Sequence, residues 1–470
     1  MVMTNLRNNL ILNLVDSYKT SHFGFMETGT TEIFSYIESR AGSEYKETLF
    51  FGLQYFLKEY MQTPITMEMV DQAEKFLTAH GEPFNRTGWE YIVNNLKGKI
   101  PLQVRAVPEG TIVTEGNVLV TFVNTDPNCA WVTGYFETAF LRAVWYPSTV
   151  ATRSFNIKRT ISSYLQRTGS IESLPFKMID FGARGVSSLE SSMLGGAAHL
   201  VNFLGTDNIS GIICSMDYYY SKEVTGFSIP ASEHSVTTAW GKNREADFFS
   251  NAIDVYGGPG KLISLVADSY SLENAIKIIG TTLKQKIIDN GCTIVVRPDS
   301  GDPASMVLVT VRLLDQYFGC NKNAAGYNVL HNSVRVIQGD GITIESIKEI
   351  LDLLEKNGYS ADNVTFGCGG YLLQQLNRDT QRFAMKASSV VVGGDRRNIC
   401  KTPKTDMSKQ SKSGRLAYVK FIGQDIKRTI TVEQFDPTIH EDLMETVYRD
   451  GEILKVYTFD EVRANATKSL

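Results

Sequence analysis

An α/β protein with a second, discontinuous α+β domain is what the chain predicts, and three observations predict it. From about residue 175 short apolar strands alternate with amphipathic helices; the first 150 or so residues mix strand and helix without that alternation; after about residue 415 strand-like alternation returns. Repeated strand, turn and helix units imply a parallel sheet with right-handed crossovers, either open or closed as a barrel. The late return implies a first domain wrapped around the second: residues 1–168 with 385–470 as α+β with an antiparallel sheet, and 169–384 as the α/β domain.

Each element has a local reason. Thr31–Ile37 alternates as a strand, Met67–His80 has helical spacing, and Lys99–Val107 and Thr111–Val123 read as antiparallel strands joined through Pro108-Glu109-Gly110. The short apolar runs are Phe176–Ile179, Leu262–Val266, Thr293–Val296, Val334–Ile337, Asn363–Phe366 and Ser389–Val392. Between them, Ser187 with Glu190 reads as a capping box, and Asp302 precedes Pro303 at a first helical position. Leu272, Ala275, Ile276 and Ile279 share one helical face, as do Ile347, Ile350, Leu351 and Leu354 before the stop at Gly358. Arg415–Ile422 and Arg428–Gln434 alternate as strands and are expected to rejoin the N-terminal sheet.

Composition narrows the function. With 47 Lys+Arg against 51 Asp+Glu in 470 residues the net charge is −4, which argues against a general nucleic-acid binder. A hydrophobic share of 43% with 21% charged residues is that of a globular protein. The six cysteines are scattered without a C-x-x-C, so neither a disulfide framework nor a zinc site is expected. No apolar run approaches the roughly 20 residues of a membrane helix, and no cleavage site follows the short apolar stretch near the N-terminus; a cytoplasmic, membrane-free protein is expected.

The unusual polar residues collect where strands end. Asp180-Phe181-Gly182-Ala183-Arg184-Gly185, Ala267-Asp268-Ser269, Arg297-Pro298-Asp299-Ser300-Gly301-Asp302, Gln338-Gly339-Asp340-Gly341 and Gly367-Cys368-Gly369-Gly370 each come directly after a strand. One such segment is an ordinary turn. Five at the same topological position mark the mouth where parallel α/β folds bind ligands. Gly367, Gly369 and Gly370 can bring bare backbone N–H groups to a phosphate, although neither a P-loop nor a Rossmann glycine pattern occurs. Arg184, Arg378, Lys386, Lys401 and Lys409 supply cations, the last two in the polar, basic stretch 400–415, so several phosphates are expected; Asp299 and Asp340 suit ribose hydroxyls or magnesium. His234, in Glu233-His234-Ser235 just before a helix start, is the one histidine singled out, and no G-x-S-x-G supports a hydrolase triad.

Taken together, these segments resemble the nicotinamide phosphoribosyltransferases of the type II phosphoribosyltransferase family. The matches run along nearly the whole chain, among them Asp16-Ser17-Tyr18-Lys19, Tyr36-Ile37-Glu38-Ser39-Arg40, Asp180-Phe181-Gly182, Gly205-Thr206-Asp207, Glu233-His234-Ser235, Arg297-Pro298-Asp299-Ser300-Gly301, Gln338-Gly339-Asp340-Gly341 and Ser413-Gly414-Arg415-Leu416. The resemblance implies an irregular parallel α/β barrel beside the α+β domain. It also implies transfer of a phosphoribosyl group from 5-phosphoribosyl 1-pyrophosphate (PRPP) to nicotinamide, with Mg²⁺, in NAD salvage.

By the same resemblance, Phe181 and Tyr18 sandwich the pyridine ring, Tyr18 (with Asp16 beside it) coming from the other subunit of a homodimer. Asp207 binds the carboxamide, Arg184 lies beside ring and phosphates, Asp299 and Asp340 hold ribose hydroxyls, and Arg297 and Ser264 support that region. Gly339, Gly369 and Gly370 take the 5′-phosphate; Arg40, Arg378, Lys386, Lys401 and Lys409 are the basic positions around the phosphates. His234 matches a histidine phosphorylated by ATP, the energy-coupling substrate; metal ligands are not assigned. The chain departs from the pattern of animal members at Ile179 and Ala183; Tyr371 stands where a third glycine is expected, and Ala384 where a hydroxyl residue is expected near the phosphate. The last two could weaken phosphate binding. Nicotinate is the alternative substrate, and Asp207 discriminates, because a carboxylate there repels another. A non-catalytic dimer is the alternative of a different class.

Overall fold

Strands packed on both faces are mostly apolar, and the parallel strands of the second half of the chain are so, with polar residues such as Asp180, Arg297 and Gln338 at their ends. The computed structural model describes residues 10–402 and 411–468. Its parallel sheet has six strands in the order Gly205–Thr206, Met178–Asp180, Val364–Cys368, Val334–Gln338, Thr293–Arg297 and Leu262–Val266. The extended segment 227–231 joins the two edges, with parallel bridges from Phe227 to Gly205 and from Ala231 to Ser264. The Thr206 N–H donates to the Phe227 carbonyl at 3.0 Å and the Ser264 N–H to the Pro230 carbonyl at 2.9 Å. The sheet thus closes into a barrel with one irregular seam, as the resemblance implied.

The helices outside the sheet start where their caps dictate. The Asp302 carboxylate accepts the Ser305 N–H at 2.9 Å and opens helix Pro303–Phe318. Thr343 and Ser346 form a capping box for Ile344–Lys356, whose buried face is Ile347, Ile350, Leu351 and Leu354. The cap expected at Ser187 lies one residue later: Ser188 Oγ accepts the Ser191 N–H at 3.1 Å, because the chain is still extended at Val186 after the turn Gly182–Gly185.

The other sheet is antiparallel, seven strands in the order Asp395–Asn398, Phe383–Val392, Thr30–Ser39, Val118–Asn124, Leu102–Ala106, Glu445–Arg449 and Glu452–Ile453. Its core holds Trp89, Phe122, Phe136 and Phe140. Three expectations are corrected. Ser389–Val392 is the end of an antiparallel strand, Ser389 opposite Phe34, because Gly393 and Gly394 both take positive φ and turn the chain straight back. Thr111–Val123 is two strands split by the turn at Gly116, and Ile112–Thr114 pairs with Glu47–Leu49. Leu416–Phe421 and Lys427–Thr431 form a separate three-stranded sheet with His440–Asp442; Glu445–Arg449 is what rejoins the large one.

Two compact units result: Met1–Thr152 with Asp217–Ser221 and Asn377–Leu470, and Arg153–Met216 with Lys222–Leu376. The divisions differ from those expected at 168/169 and 384/385. Helix Glu137–Thr168 runs on past the first division, and Phe383–Val392 pairs along its length, so the second falls before it. The excursion Asp217–Ser221 is anchored within the first unit, where Tyr219 stacks on Phe51 at 5.0 Å and donates its hydroxyl to buried Glu109 at 2.7 Å. No described helix is long and apolar enough to cross a membrane.

Candidate functional site

The residues singled out in the sequence fall into two groups, one on each unit. In the barrel unit, the parallel strands and the closing segment 227–231 surround a cavity of about 410 Å³ whose wall includes Phe181, Asp207, Ser228, Ser264 and Arg297. Phe181 comes just after the Met178–Asp180 strand, and its N–H donates to the Cys368 carbonyl at 2.9 Å. Its ring lies on bare backbone: a Cβ at Gly367 would stand 1.9 Å from the ring, and one at Gly339 3.1 Å away. Gly367 is therefore a seat for Phe181, a purpose different from the phosphate contact expected of it. Asp207 accepts the Ser228 hydroxyl on Oδ1 at 2.5 Å, leaving Oδ2 toward other donors. Ser264 is buried in the middle of the Leu262–Val266 strand.

Beside this wall lies a cluster of charge. Arg297 Nε stands 3.7 Å from Asp299 Oδ1, and His234 Nε2 is 3.3 Å from Asp299 Oδ2 and 3.8 Å from Asp268 Oδ1. His234 Nδ1 shares a hydrogen bond of 2.9 Å with Ser269. Asp268 is the organiser: its Oδ2 accepts the Asp299 N–H at 2.9 Å and the Ser300 hydroxyl at 2.6 Å, while its buried Oδ1 has no hydrogen-bond partner. Sequence reasoning gave Asp268 no task, although it stands after the Leu262–Val266 strand much as Asp299 stands after Thr293–Arg297. His234 opens the helix His234–Ala239 and keeps 46% of its side chain exposed.

On the next strand ends, Asp340 is exposed. A Cβ at Gly185 would lie 3.5 Å from Gly370, so the turn carrying exposed Arg184 backs onto the Gly369-Gly370 corner. Two of the departures have structural tasks here. The Arg153 guanidinium lies 4.3 Å over the Tyr371 ring and donates to its carbonyl at 2.6 Å; Ile179 fills the space over Gly205. Ala183 is exposed, and Ala384 sits buried opposite Glu38 in the other unit.

The basic residues are on the first unit. Lys386 is pushed below the usual lysine range by burial and by the neighbouring charges of Lys19, Arg40 and Arg378, with Glu137 opposing them. Three other cations thus lie within electrostatic reach of Lys386. Lys19 itself is ion-paired to Glu137 at 2.5 Å. Arg40 Nε donates to the Arg382 carbonyl at 3.2 Å, and Arg378 is 3.4 Å from Asp379. Lys401 is exposed, its N–H on the Ser411 hydroxyl at 2.8 Å; Lys409 lies outside the described residues. Asp16 accepts the Thr138 hydroxyl at 2.8 Å, and Tyr18 is 54% exposed on the turn Ser17–Phe25.

Residues 176–452 match the nicotinate phosphoribosyltransferase (NAPRTase) family, and residues 9–104 match the nicotinamide phosphoribosyltransferase N-terminal domain. The chain is 48% identical to a nicotinamide phosphoribosyltransferase of Xanthomonas campestris, over 98% of both chains. It is 30% identical to one of Acinetobacter baylyi, over 98% of this chain and 97% of the relative. Among solved structures, nicotinate-nucleotide pyrophosphorylase from Pyrococcus furiosus superposes with a TM-score of 0.62 at 15% identity, covering all of this chain and 97% of that one. Human nicotinic acid phosphoribosyltransferase gives 0.61 at 15%, covering all of this chain and 93% of that one. These two likenesses concern the fold.

The seat of Phe181 is testable by stability alone. Gly367→Ala is expected to cost about 1–3 kcal/mol in thermal or urea unfolding, as overpacking does, and Phe181→Ala in the same chain to recover most of it. An unchanged melting temperature in Gly367→Ala would show that the ring does not rest there.

Proposed function

We infer the reaction from one premise: the chain belongs to the nicotinate phosphoribosyltransferase family, among the nicotinamide phosphoribosyltransferases that it matches along 98% of its length. It transfers the phosphoribosyl group of PRPP to the ring nitrogen of nicotinamide, giving nicotinamide mononucleotide and pyrophosphate in NAD salvage. The observation that carries the choice of substrate is the Asp207 carboxylate on the cavity wall that also holds Phe181. With Oδ1 taken by Ser228, Oδ2 accepts the amide N–H of a carboxamide whose pyridine ring lies on Phe181. Nicotinate would put a second anion at hydrogen-bond distance, a repulsion worth several kcal/mol away from bulk water.

The chemistry asks for charge of both signs. As the ring nitrogen bonds to the ribose carbon and the bond to pyrophosphate breaks, positive charge grows on the sugar and negative charge on the leaving group. Asp299 and Asp340 hold the ribose hydroxyls in this reading, with Arg297 and Ser264 supporting ring and sugar. Gly339, Gly369 and Gly370 take the 5′-phosphate with Arg184 beside them, and Arg40, Arg378, Lys386, Lys401 and Lys409 serve the phosphates. The neutral pyridine nitrogen is already a nucleophile, so no base is required of His234.

Among the described residues no group of three or more carboxylate, histidine or cysteine side chains could hold a metal ion by itself; magnesium accepts one or two carboxylates together with phosphate oxygens and water, and Asp299 or Asp340 would supply them. When bound, it neutralises charge on the leaving pyrophosphate. ATP enters through His234, whose imidazole nitrogen attacks the γ-phosphorus as the bond to ADP breaks. The homodimer places Tyr18 of one subunit against the ring held by Phe181 of the other, in keeping with the exposure of Tyr18.

Three experiments test these assignments. Wild-type enzyme is expected to favour nicotinamide over nicotinate by a factor on the order of 10⁴ in kcat/KM, and Asp207→Ser to lower use of nicotinamide while raising relative use of nicotinate. Equal loss on both substrates would make Asp207 structural. His234→Ala is expected to retain slow synthesis but lose ATP hydrolysis and ATP stimulation together; full stimulation in the variant removes the coupling role. Mixing inactive Tyr18→Ala and Asp299→Ala subunits is expected to restore activity in the heterodimer. Shared sites are ruled out if verified subunit exchange restores none.

A further inference from the structure

One buried carboxylate beside the cavity has no task in the transfer chemistry. Asp180 ends the Met178–Asp180 strand and is fully shielded from solvent. Its Oδ1 accepts the Gly182 N–H at 2.7 Å, and its Oδ2 accepts a proton of Asn208 Nδ2 at 3.0 Å. Its carbonyl accepts the Asp207 N–H at 3.0 Å. A single residue therefore grips two turns: the one that carries Phe181, between Asp180 and Gly182, and the one that carries Asp207, between Thr206 and Asn208.

The second grip is directional. Asn208 Oδ1 accepts the Ser192 hydroxyl at 3.1 Å, the Ser210 hydroxyl at 2.6 Å and the Gly211 N–H at 3.3 Å, while Nδ2 also donates to the Ser192 carbonyl at 2.9 Å. With its oxygen so engaged, the amide cannot turn over without breaking those bonds, and Nδ2 stays aimed at Asp180. Burial pushes the Asp180 carboxyl up to about 6, against the pull of the Gly182 and Asn208 donors and with the Asp207 charge adding to the burial effect. A carboxylate kept at such cost, in a place that an apolar side chain could fill, points to a requirement for its geometry.

We propose that Asp180, acting through Asn208, is a positioning residue that sets substrate selectivity by fixing the Asp207 turn against the Phe181 turn. This rests on the reading that Asp207 binds the carboxamide. Selectivity needs the Asp207 oxygen held in register with a ring on Phe181, and a turn free to move would let the carboxylate swing away from an incoming anion. In Asp180→Asn one oxygen becomes an amide that faces a donor, either Asn208 Nδ2 or the Gly182 N–H, so one grip is lost at nearly constant volume.

The test is the ratio of kcat/KM for nicotinamide to that for nicotinate, measured with PRPP for the full-length enzyme. Asp180→Asn is expected to lower the ratio about tenfold to a hundredfold, the effect of one buried hydrogen bond to a charged group. Adding Asn208→Asp restores a donor facing an acceptor across the pair but takes the donor away from the Ser192 carbonyl, so it is expected to recover only part of it. A role confined to core stability would depress both substrates alike and leave the ratio unchanged, which overturns the proposal. Asp207→Ser is measured in parallel: if it shifts the ratio and Asp180→Asn does not, the proposal falls and the Asp207 reading stands; if Asp207→Ser leaves the ratio unchanged, both fall. Should Asp180→Asn fail to fold, Asn208→Ser removes the same bond from the other side, and its ratio is read with the same two outcomes.

Discussion

Closing a parallel sheet with a segment that is hardly a strand is the constraint on which the rest of the barrel depends. Segment 227–231 bonds to Gly205–Thr206 at one end and to Leu262–Val266 at the other, and these bonds fix the positions of the side chains on and just beyond it. Ser228 arrives opposite Asp207, Ser232 accepts the Val266 N–H at 2.9 Å, and His234 arrives beside Asp268 and Asp299. A regular strand would present alternate side chains to one face. The irregular seam instead delivers a serine to one side of the mouth and a histidine to the other.

Charge is then arranged at a cost that folding alone would not justify. The barrel mouth brings Asp268 and Asp299 together around one histidine, and Asp180 lies buried beside Asp207. The first unit collects Lys19, Arg40, Arg378 and Lys386 with Glu137 as the opposing charge. Like charges within reach of one another reduce stability, so such clusters mark ligands that bring the missing charge. In the proposed reaction the cations would meet a polyphosphate, and the carboxylates a sugar that becomes positive as it reacts.

Much of this was legible in the sequence because periodicity and cap chemistry act locally. The strands Leu262–Val266 and Val334–Gln338, the helix Met67–His80, the Asp302 cap and the concentration of polar residues after strands all obey such local rules. What stayed hidden depends on contacts distant in sequence. The two-residue strand Gly205–Thr206 and the seam are too short to show a period, and nothing marks Asp217–Ser221 as a detour into the other unit. Gly393-Gly394 was a readable hairpin signal that would have placed Ser389–Val392 correctly. Gly367 looked like a phosphate glycine because the seat of an aromatic ring and the approach of a phosphate ask the same thing of a backbone: no Cβ.

The central claim is that a carboxylate on the wall of the ring cavity chooses a neutral carboxamide over an acid. Competition tests it most directly: wild-type enzyme with limiting PRPP and equal concentrations of nicotinamide and nicotinate, with and without ATP, the two mononucleotides being separated and counted. The account predicts nicotinamide mononucleotide as nearly the whole product in both conditions, with ATP raising its amount. Comparable amounts of the two products, or a majority of nicotinate mononucleotide, would contradict it.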